Sequence, residues 1–562
     1  GTVVAGTATI ATTPGSTTIT AGNNSVLRWN SFDVGTGQTV RFIQPGADSR
    51  VMNWIGNLTP SQINGTLLAN GQVYLLNPAG VYFGRTAVVD VGHLYAVGGS
   101  LSRDDFLAGL NRFTTLTGAV RNDGTLRGSA VALVGRTVLN TGTIISTDGF
   151  IALGAGKEVL LGRNGSSIYV EAGHSAPPGA PVIADTPGIA NTGTIDAGRG
   201  SAVLAAGDLY SVAITQDGKL SARDVRLQGQ GRGDVLVNGS ISAASALPGE
   251  AGGSVTITGE RVGLLGGARI DASGPAGGGA ILVGGDMHGA NAAVRNAVAT
   301  SVLPGAVIKA DATVAGNGGK VVVWSDGDTL FSGNIFARGT GAGGSGGFTE
   351  VSGKNFLSYG GLADLSAHSG PAGTLLLDPT DITLTGAGTD TNPTAGSFVA
   401  GTFGGGGNAT STIFIGNGSG DTNSTLLKQL AAANVVITTT SAGGGTGNIN
   451  VTDTIDYTSS HSLSLLAGNN LTISSAINNQ GSGGLTVAAT AGTVSVTAPI
   501  TLAGGDFASS GNNFTTSGSG SIATNGGAIT LTHTGAVSLG AQFSSAATGT
   551  TGVAGGSNTD RK

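Results

Sequence analysis

The sequence predicts an all-β chain built as a parallel β-helix, that is, a β-solenoid of stacked coils. Of the 562 residues, 102 are glycine, whereas only 10% are charged and 5% are aromatic. Short runs of alternating β-branched and polar residues lie between turn residues, as in short strands. Closely similar units recur with a period near 20 residues, which indicates a repeat architecture whose units bury their apolar faces against their neighbours.

The recurring unit begins with asparagine or glycine and continues as an alternating run. It occurs at 122–126, 140–144, 191–195 and 238–241. Strand-like runs lie between these units, at 130–134, 150–153, 202–205, 254–258 and 320–324. A β-sandwich array would also show short strands and turn signals. The β-helix is favoured because similar units recur about one coil apart, as stacked corners would.

The composition excludes several other classes of protein. The glycines have no Gly-X-Y period, which excludes collagen. The 26 basic and 32 acidic residues give a net charge of −6, which argues against a nucleic-acid partner. The chain has no cysteine, so disulfides and thiolate metal sites are excluded. It begins at Gly1 without Met or an apolar leader, and we expect any export signal to have been removed or left off.

Composition also suggests how the chain is divided. The N-terminal block is richer in large apolar residues, and a cap is expected there because the open end of a solenoid has unpaired strand edges. The predicted segments are an N-terminal cap over 1–115, β-helix coils over 116–380 with loop or short-helix excursions near 174–189 and 286–303, a low-charge Gly/Thr/Ser-rich continuation of the solenoid over 381–550, and a disordered tail over 551–562. Residues 424–434 have helical periodicity after a polar start.

The N-terminal block contains an ordered set of motifs, which lie at 26–34, 38–42, 61–65, 70–84 and 87–90. Together they resemble the haemagglutination-activity domain, the secretion domain of two-partner secretion exoproteins. The resemblance is to the high-molecular-weight adhesins, with filamentous haemagglutinin more distant. It implies a right-handed β-helix that is secreted, via the periplasm, across the outer membrane of a Gram-negative bacterium. The partner it implies is an outer-membrane β-barrel transporter whose periplasmic domains recognise this block.

The resemblance also supplies candidate site residues. The family's Asn-Pro-Asn-Gly motif falls on Asn77, Pro78 and Gly80, with Ala79 departing from the pattern. The pattern Asn-Pro-x-Gly is also typical of a type I turn. The motif could therefore form a turn and nothing more, or form a turn and also be recognised by the transporter. The candidates for the core of the cap and secretion domain are Trp29, Phe32, Phe42, Gly71 and Phe83.

An enzyme has to be considered, because β-helices also host polysaccharide-cleaving enzymes. Such chemistry needs paired carboxylates or a bound cation. Asp104 and Asp105 are adjacent in sequence and are expected to be solvated, and Asp378 and Asp381 lie in a turn-like segment. The six histidines have no metal-ligand spacing. We therefore expect no catalytic residue, no cofactor and no metal site, and a chain that is not an enzyme.

The resemblance implies a secreted or surface-attached adhesin that binds glycans or matrix proteins of host or neighbouring cells, with self-association as a further interaction. Three alternatives remain open. The chain could be a structural filament or biofilm matrix protein, or a stalk that carries a C-terminal toxin or ligand-capture module. The third alternative is a polysaccharide-cleaving enzyme.

Overall fold

The computed structural model describes residues 1–164, 167–172, 186–207, 209–386, 411–414, 424–439, 445–546 and 558–561. It divides into two compact units. Unit 1 comprises Gly1–Ala243 and Gly253–Asp271, and unit 2 comprises Ala244–Gly252 and Ala272–Lys562. In each unit the chain winds through successive coils of short strands, and each strand pairs in parallel with the equivalent strand of the next coil. The predicted parallel β-helix is confirmed.

Each coil of unit 1 contributes to three strand stacks. Stack 1 contains Ser16–Ala21, Thr39–Ile43, Thr66–Ala69, Val88–Asp90, Thr125–Arg127, Thr143–Ile145, Thr194–Asp196, Lys219–Ser221, Ser240–Ser242 and Arg269–Asp271. Stack 2 contains Ser25–Trp29, Arg50–Ile55, Gln72–Leu76, His93–Val97, Ala130–Gly135, Phe150–Ala155, Ser201–Ala206, Asp224–Gly229 and Ser254–Thr258. Stack 3 contains Ser61–Ile63, Gly80–Phe83, Ala119–Asn122, Val138–Asn140, Ile189–Asn191, Val212–Gln216, Asp234–Val237 and Arg261–Leu264.

Unit 2 is built in the same way. Its counterpart of stack 2 contains Ala280–Val283, Lys320–Ser325, Phe348–Gly353, Thr374–Leu377, Asn434–Thr438, Leu463–Ala467, Leu485–Val496, Phe507–Thr516, Ile529–His533 and Asn558–Arg561. Its counterpart of stack 3 contains Ala299–Val302, Asp328–Phe331, Phe356–Tyr359, Ile382–Thr385, Ser411–Phe414, Ile449–Val451, Leu471–Ile473 and Val537–Leu539. The remaining strands are Val307–Lys309, Asn334–Phe336, Leu362–Asp364, Ile455–Tyr457, Ile477–Asn479, Ile500–Leu502, Ile522–Ala523 and Phe543–Ser544.

The core follows from the alternation within each strand. In stack 1 the middle residue of each three-residue strand points inward, and these residues pair in register from coil to coil. Leu126, Ile144, Ile195 and Leu220 form such a column, and none is more than 1% exposed. Because strands in a sheet lie about 4.8 Å apart, each apolar side chain covers the one in the neighbouring coil.

An antiparallel hairpin closes the start of unit 1. Strand Ala8–Thr13 pairs with Ser16–Ala21, the first strand of stack 1, through a turn at Gly15. Gly15 has φ +77°, a conformation that favours glycine. Strand Thr2–Ala5 pairs antiparallel with Ser25–Trp29. The two terminal strands therefore occupy strand edges that would otherwise be unpaired at this end.

Unit 1 also has an accessory layer that the repeat pattern of the sequence does not predict. It consists of helix α1 (Arg103–Ala108) and an antiparallel sheet of Ser100–Leu101, Asn111–Thr114, Val159–Asn164 and Ser167–Ala172. Ser102 caps α1, because its side chain accepts a hydrogen bond from the backbone N–H of Asp105. Phe106 of α1 is buried against the aromatic residues of stack 2.

The predicted excursions and tail have different outcomes. Most of the predicted excursion at 174–189 lies outside the described residues. The excursion at 286–303 contains one 3-10 turn, Met287–Gly289, and ends earlier than predicted because Ala299–Val302 is buried and pairs with the next coil. Helix α2 (Thr425–Leu430), capped by Ser424, confirms the helical prediction there. Within the predicted tail, Asn558–Arg561 pairs with the last coil, and the other residues lie outside the described ranges.

Candidate functional site

The candidate secretion motif forms a buried turn after strand Gln72–Leu76. The Asn77 side chain is fully buried, and its Oδ1 accepts a hydrogen bond from the backbone N–H of Ala79 at 2.9 Å. Its Nδ2 donates to Asn57 Oδ1 at 3.0 Å, to the Thr59 carbonyl at 3.1 Å and to Ser61 Oγ at 3.1 Å. The side-chain amide therefore has partners for both its donor and its acceptor in the folded chain.

The remaining motif residues complete this turn. The backbone N–H of Gly80 donates to the Asn77 carbonyl at 2.8 Å, and the Pro78 carbonyl accepts from Thr117 Oγ1 at 2.8 Å. Gly80 has φ +121°, and a Cβ there would lie 2.6 Å from the Ala119 carbonyl oxygen. The position therefore requires glycine. The turn itself is confirmed, and a transporter could read the Asn77 amide directly only before the chain folds.

Three of the candidate cap residues form one aromatic cluster. Trp29 meets Phe32 edge-on, with ring centroids 5.2 Å apart, and Phe32 stacks on Phe42 at 6.4 Å. Phe42 is 1% exposed and Phe32 is 5% exposed, whereas Trp29 is half-buried. The indole Nε1 of Trp29 donates to Asn53 Oδ1 at 2.9 Å. The cluster packs the segment that follows strand Ser25–Trp29 against strand Thr39–Ile43.

The other two candidates lie in later coils, separate from this cluster. Phe83 is fully buried at the end of strand Gly80–Phe83. Gly71 lies at a corner, where a Cβ would approach both the Gln44 side chain and the Ser49 carbonyl oxygen to 2.7 Å. Close backbone approach explains glycine at this position.

The recurring asparagines of the sequence meet in a chain of hydrogen bonds, the amide ladder, which consists of Asn122, Asn140, Asn191 and Gln216. Each side-chain N–H donates to the amide oxygen of the next member at 2.8 Å. All four side chains are fully buried. A carboxamide suits this position because it carries a donor and an acceptor on one planar group. Gln216 was not recognised in the sequence, because its unit does not start with asparagine.

Unit 1 also contains a pocket of about 360 Å³ beneath the accessory layer. Tyr74 and Tyr95 form part of its wall and stack with ring centroids 4.2 Å apart. Burial raises the pKa of Tyr74 well above its ordinary value. Arg50 also lines the pocket, and it donates to the Phe106 carbonyl at 2.8 Å and lies over the Phe106 ring at 5.1 Å. The volume lies at the lower end of the range for small-molecule sites.

Comparison with known proteins identifies the N-terminal half. Residues 2–257 match the TPS secretion domain family. The chain carries a TPS secretion domain. This domain contains the Asn77 turn, the aromatic cluster and the amide ladder. The match to this secretion domain family implies secretion through the periplasm of a Gram-negative bacterium, with an outer-membrane transporter as partner.

Proteins of Haemophilus influenzae are similar to this chain. The crystal structure of the HMW1 secretion domain is similar with a TM-score of 0.54 and 27% identity, and the match covers 67% of this chain and 99% of that one. A Heme/hemopexin-binding protein is 35% identical over 156 residues, which are 26% of this chain and 17% of the relative. A second protein of that name is 38% identical over 116 residues, which are 20% of this chain and 12% of the relative. The matches thus span less than a fifth of these two relatives.

Three of the four carboxylates considered for catalysis occupy positions that the fold explains. Asp104 and Asp105 lie in the first turn of α1, inside the TPS secretion domain, where negative charge stabilises a helix. Beyond the domain, Asp381 accepts hydrogen bonds from the Thr446 backbone and hydroxyl and from the Asn448 backbone at 2.7–2.8 Å. It closes a turn, as the sequence suggests.

Asp378 has a different environment from Asp381. Its Oδ2 lies 3.0 Å from Nδ1 of His288, and the same nitrogen lies 3.7 Å from Oε1 of Glu350. No sequence motif connects these residues, which lie in different coils of unit 2. Among the residues that the structure describes, no helix is long and apolar enough to span a membrane.

Proposed function

We propose that the chain is a secreted surface adhesin that attaches to glycans or matrix proteins of host or neighbouring cells and does not cleave them. The observation that supports this proposal is the match of residues 2–257 to the TPS secretion domain family, together with the continuation of the β-helix in unit 2. Repeated coils present many similar outward faces, so weak contacts along the solenoid would combine into firm attachment.

Export is the first step of the proposed function, and we propose that the transporter reads the Asn77 motif in the unfolded chain. The full-length protein carrying Asn77→Ala would be co-expressed with its transporter, and secreted and retained protein would be compared. We expect the secreted fraction to fall at least tenfold. Asn30→Ala, at an exposed asparagine of the same unit, is the matched control.

A folding defect has to be separated from a recognition defect, because Asn77 is also buried and hydrogen-bonded. The variant and the control would therefore be refolded from denaturant, and their thermal stabilities compared. Asn140→Ala, at another buried and hydrogen-bonded asparagine of the same domain, is therefore a second control, and secretion of Asn140→Ala as poor as that of Asn77→Ala would leave the motif only a turn. Normal secretion of Asn77→Ala would remove the recognition role altogether.

Attachment is tested by retention of the purified chain on a panel of glycans and matrix proteins, with the eluates checked for cleavage. Saturable retention with intact ligand supports the adhesin. Shortened ligand in the eluate would contradict the proposal that the chain is not an enzyme. Self-association into fibres without retention would support a structural filament or biofilm matrix protein instead.

Capture of haem or hemopexin is a second candidate function. The curated relatives are named for binding these two ligands, and one shares 35% identity over 26% of this chain. The panel should therefore include immobilised hemopexin, and a spectrophotometric haem titration should accompany it. Saturable binding of either ligand, with no retention on glycans or matrix proteins, would favour capture over adhesion.

A further inference from the structure

Three side chains from separate coils converge on the surface of unit 2. Nδ1 of His288 lies 3.0 Å from Asp378 Oδ2 and 3.7 Å from Glu350 Oε1. The imidazole is 43% exposed, the Glu350 side chain is fully buried, and the Asp378 side chain is 8% exposed. One ligand atom from each residue lies within 4.8 Å of the other two. We call these three residues the His-Glu-Asp trio.

The fold explains how a carboxylate comes to be buried here. Glu350 lies in strand Phe348–Gly353, on the face opposite to Val351, because alternate residues of a strand point to opposite faces. The excursion that contains His288 covers this outer face. The backbone N–H of His288 donates to both oxygens of Glu350, at 3.2 and 3.3 Å.

The excursion is held in place by contacts with Trp324. A Cβ at Gly289 would lie 2.6 Å from the indole Nε1 of Trp324, so the backbone passes directly over the ring. Asn296 Nδ2 donates to the Gly289 carbonyl at 2.9 Å. His288 adopts φ +54°, in the left-handed region that histidine shares with asparagine and aspartate more often than other residues with side chains do. A well-anchored segment thus holds a histidine against two buried carboxylates.

The hydrogen bonds of the trio leave one buried atom unsatisfied. Asp378 Oδ1 is sealed from solvent and has no hydrogen-bond partner among the described residues. The salt bridges described for Glu350 and Asp378 both involve His288. Lys320, near the same excursion, is bound to Asp286 at 2.7 Å. One imidazole carries too little positive charge to balance two buried carboxylates. Burial of a charged group is costly unless the group is paired with an opposite charge or coordinates a metal.

We propose that His288, Glu350 and Asp378 bind a divalent transition-metal ion, and that Zn²⁺ is a suitable probe for it. Zn²⁺ bonds to histidine nitrogen and carboxylate oxygen at about 2.0–2.2 Å, so ligand atoms around a tetrahedral ion lie about 3.3–3.6 Å apart. The observed separations of 3.0 and 3.7 Å bracket this range. Three protein ligands leave a fourth position open on the exposed side of His288.

The ligand types also predict selectivity. Calcium and magnesium prefer sites made entirely of oxygen, with six or more ligands for calcium. An imidazole with two carboxylates suits zinc, manganese or iron better. We therefore expect Zn²⁺ to bind at least tenfold more tightly than Ca²⁺. A bound ion would fasten the excursion to the coils beneath it.

The test is a calorimetric titration of the full chain with ZnCl₂ after treatment with a chelator, without a histidine tag. We expect one saturable site and a higher thermal unfolding temperature with Zn²⁺. Glu350→Gln and His288→Asn should each weaken binding at least tenfold. Asparagine tolerates the left-handed conformation and keeps the backbone N–H, so His288→Asn should fold even if Glu350→Gln does not.

The matched control is His368→Gln, which removes an exposed histidine of the same unit that is outside the trio. It should leave Zn²⁺ binding unchanged. Absence of a saturable Zn²⁺ site in the wild-type chain would overturn the proposal and leave the trio a hydrogen-bonded ion pair. Wild-type affinity in a folded His288→Asn variant would do the same, because the bound zinc would then lie elsewhere.

Discussion

The amide ladder offers a quantitative test of how the coils are held together. Asn140 is its central member, accepting from Asn122 and donating to Asn191, each at 2.8 Å. In Asn140→Ala both bonds are lost, which leaves a buried donor on Asn122 and a buried acceptor on Asn191. A buried polar group without a partner costs about 1–3 kcal/mol. The expected loss is therefore about 2–6 kcal/mol, a large share of the stability of a domain.

Hydrogen exchange is the appropriate assay, because a repeat protein need not unfold in a single step. Peptides over 119–145 would be followed by mass spectrometry in the full chain, and their opening free energies compared with the wild type. Asn30→Ala should stay within about 0.5 kcal/mol, as surface substitutions usually do. If Asn140→Ala also changed the opening free energy by less than about 0.5 kcal/mol, the ladder would contribute nothing to coil stability and the reasoning would be refuted.

A second substitution at the same position separates hydrogen bonding from packing. In Asn140→Asp the carboxylate can accept from Asn122, but it cannot donate to Asn191, so two oxygens face each other in a buried site. The folded-state pKa of this aspartate should lie above its unfolded value of about 3.9. The folded state then binds the proton more tightly, so stability is recovered as pH falls through the folded pKa and lost as pH rises. A flat pH profile would indicate that the loss comes from packing.

Three further outcomes are expected from charged groups of unit 1. Arg261 donates two bonds of 2.8 Å to the fully buried carboxylate of Asp234. Arg261→Met should therefore lower the opening free energy of the coil that contains Asp234, measured by hydrogen exchange, by about 3–5 kcal/mol. Arg121 holds the pKa of Asp123 below its usual value through a hydrogen bond. The stabilisation by Asp123 is therefore complete above about pH 4 and lost as pH falls through the folded pKa, and Asp123→Asn should flatten the acid side of the stability profile. Arg50 donates hydrogen bonds to carbonyls at the end of α1. Arg50→Met should therefore lower the opening free energy of the α1 amides by about 1–3 kcal/mol, measured as faster hydrogen exchange.

The coil architecture could be predicted because it is encoded locally and repeatedly. The units at 122–126, 140–144 and 191–195 each carry an asparagine followed by an alternating run. The structure stacks these units directly on one another. Every coil needs only its neighbours, so a short period in the sequence is sufficient evidence for the stack. The fold class was predictable for this reason, whereas the Asn77 turn and α2 were predictable from local turn and helix signals.

The accessory layer was missed although α1 carries recognisable signals. Ser102 is an N-cap, and Gly109 ends the helix with φ +77°. The helix has only six residues, however, which is too short for a hydrophobic period to emerge above the β-pattern around it. The antiparallel strands beside it come from coils that are distant in sequence, such as Asn111–Thr114 and Val159–Asn164. Their pairing depends on tertiary packing and leaves no local signal.

The His-Glu-Asp trio shows why motif spacing fails in a solenoid. His288 lies 62 positions from Glu350 and 90 from Asp378, whereas zinc motifs are recognised by ligands a few residues apart. Coil length varies too much for a fixed spacing: successive members of the amide ladder are separated by 18, 51 and 25 positions. Strand register is the more useful guide. Glu350 pairs with Leu376 of the next coil, and Asp378 follows two positions later, just beyond strand Thr374–Leu377, where its backbone N–H donates to Ser352 Oγ at 3.1 Å. Sites of this kind are therefore found by aligning the coils and comparing residues that share one outward face. Residues of an excursion that cover that face complete the site.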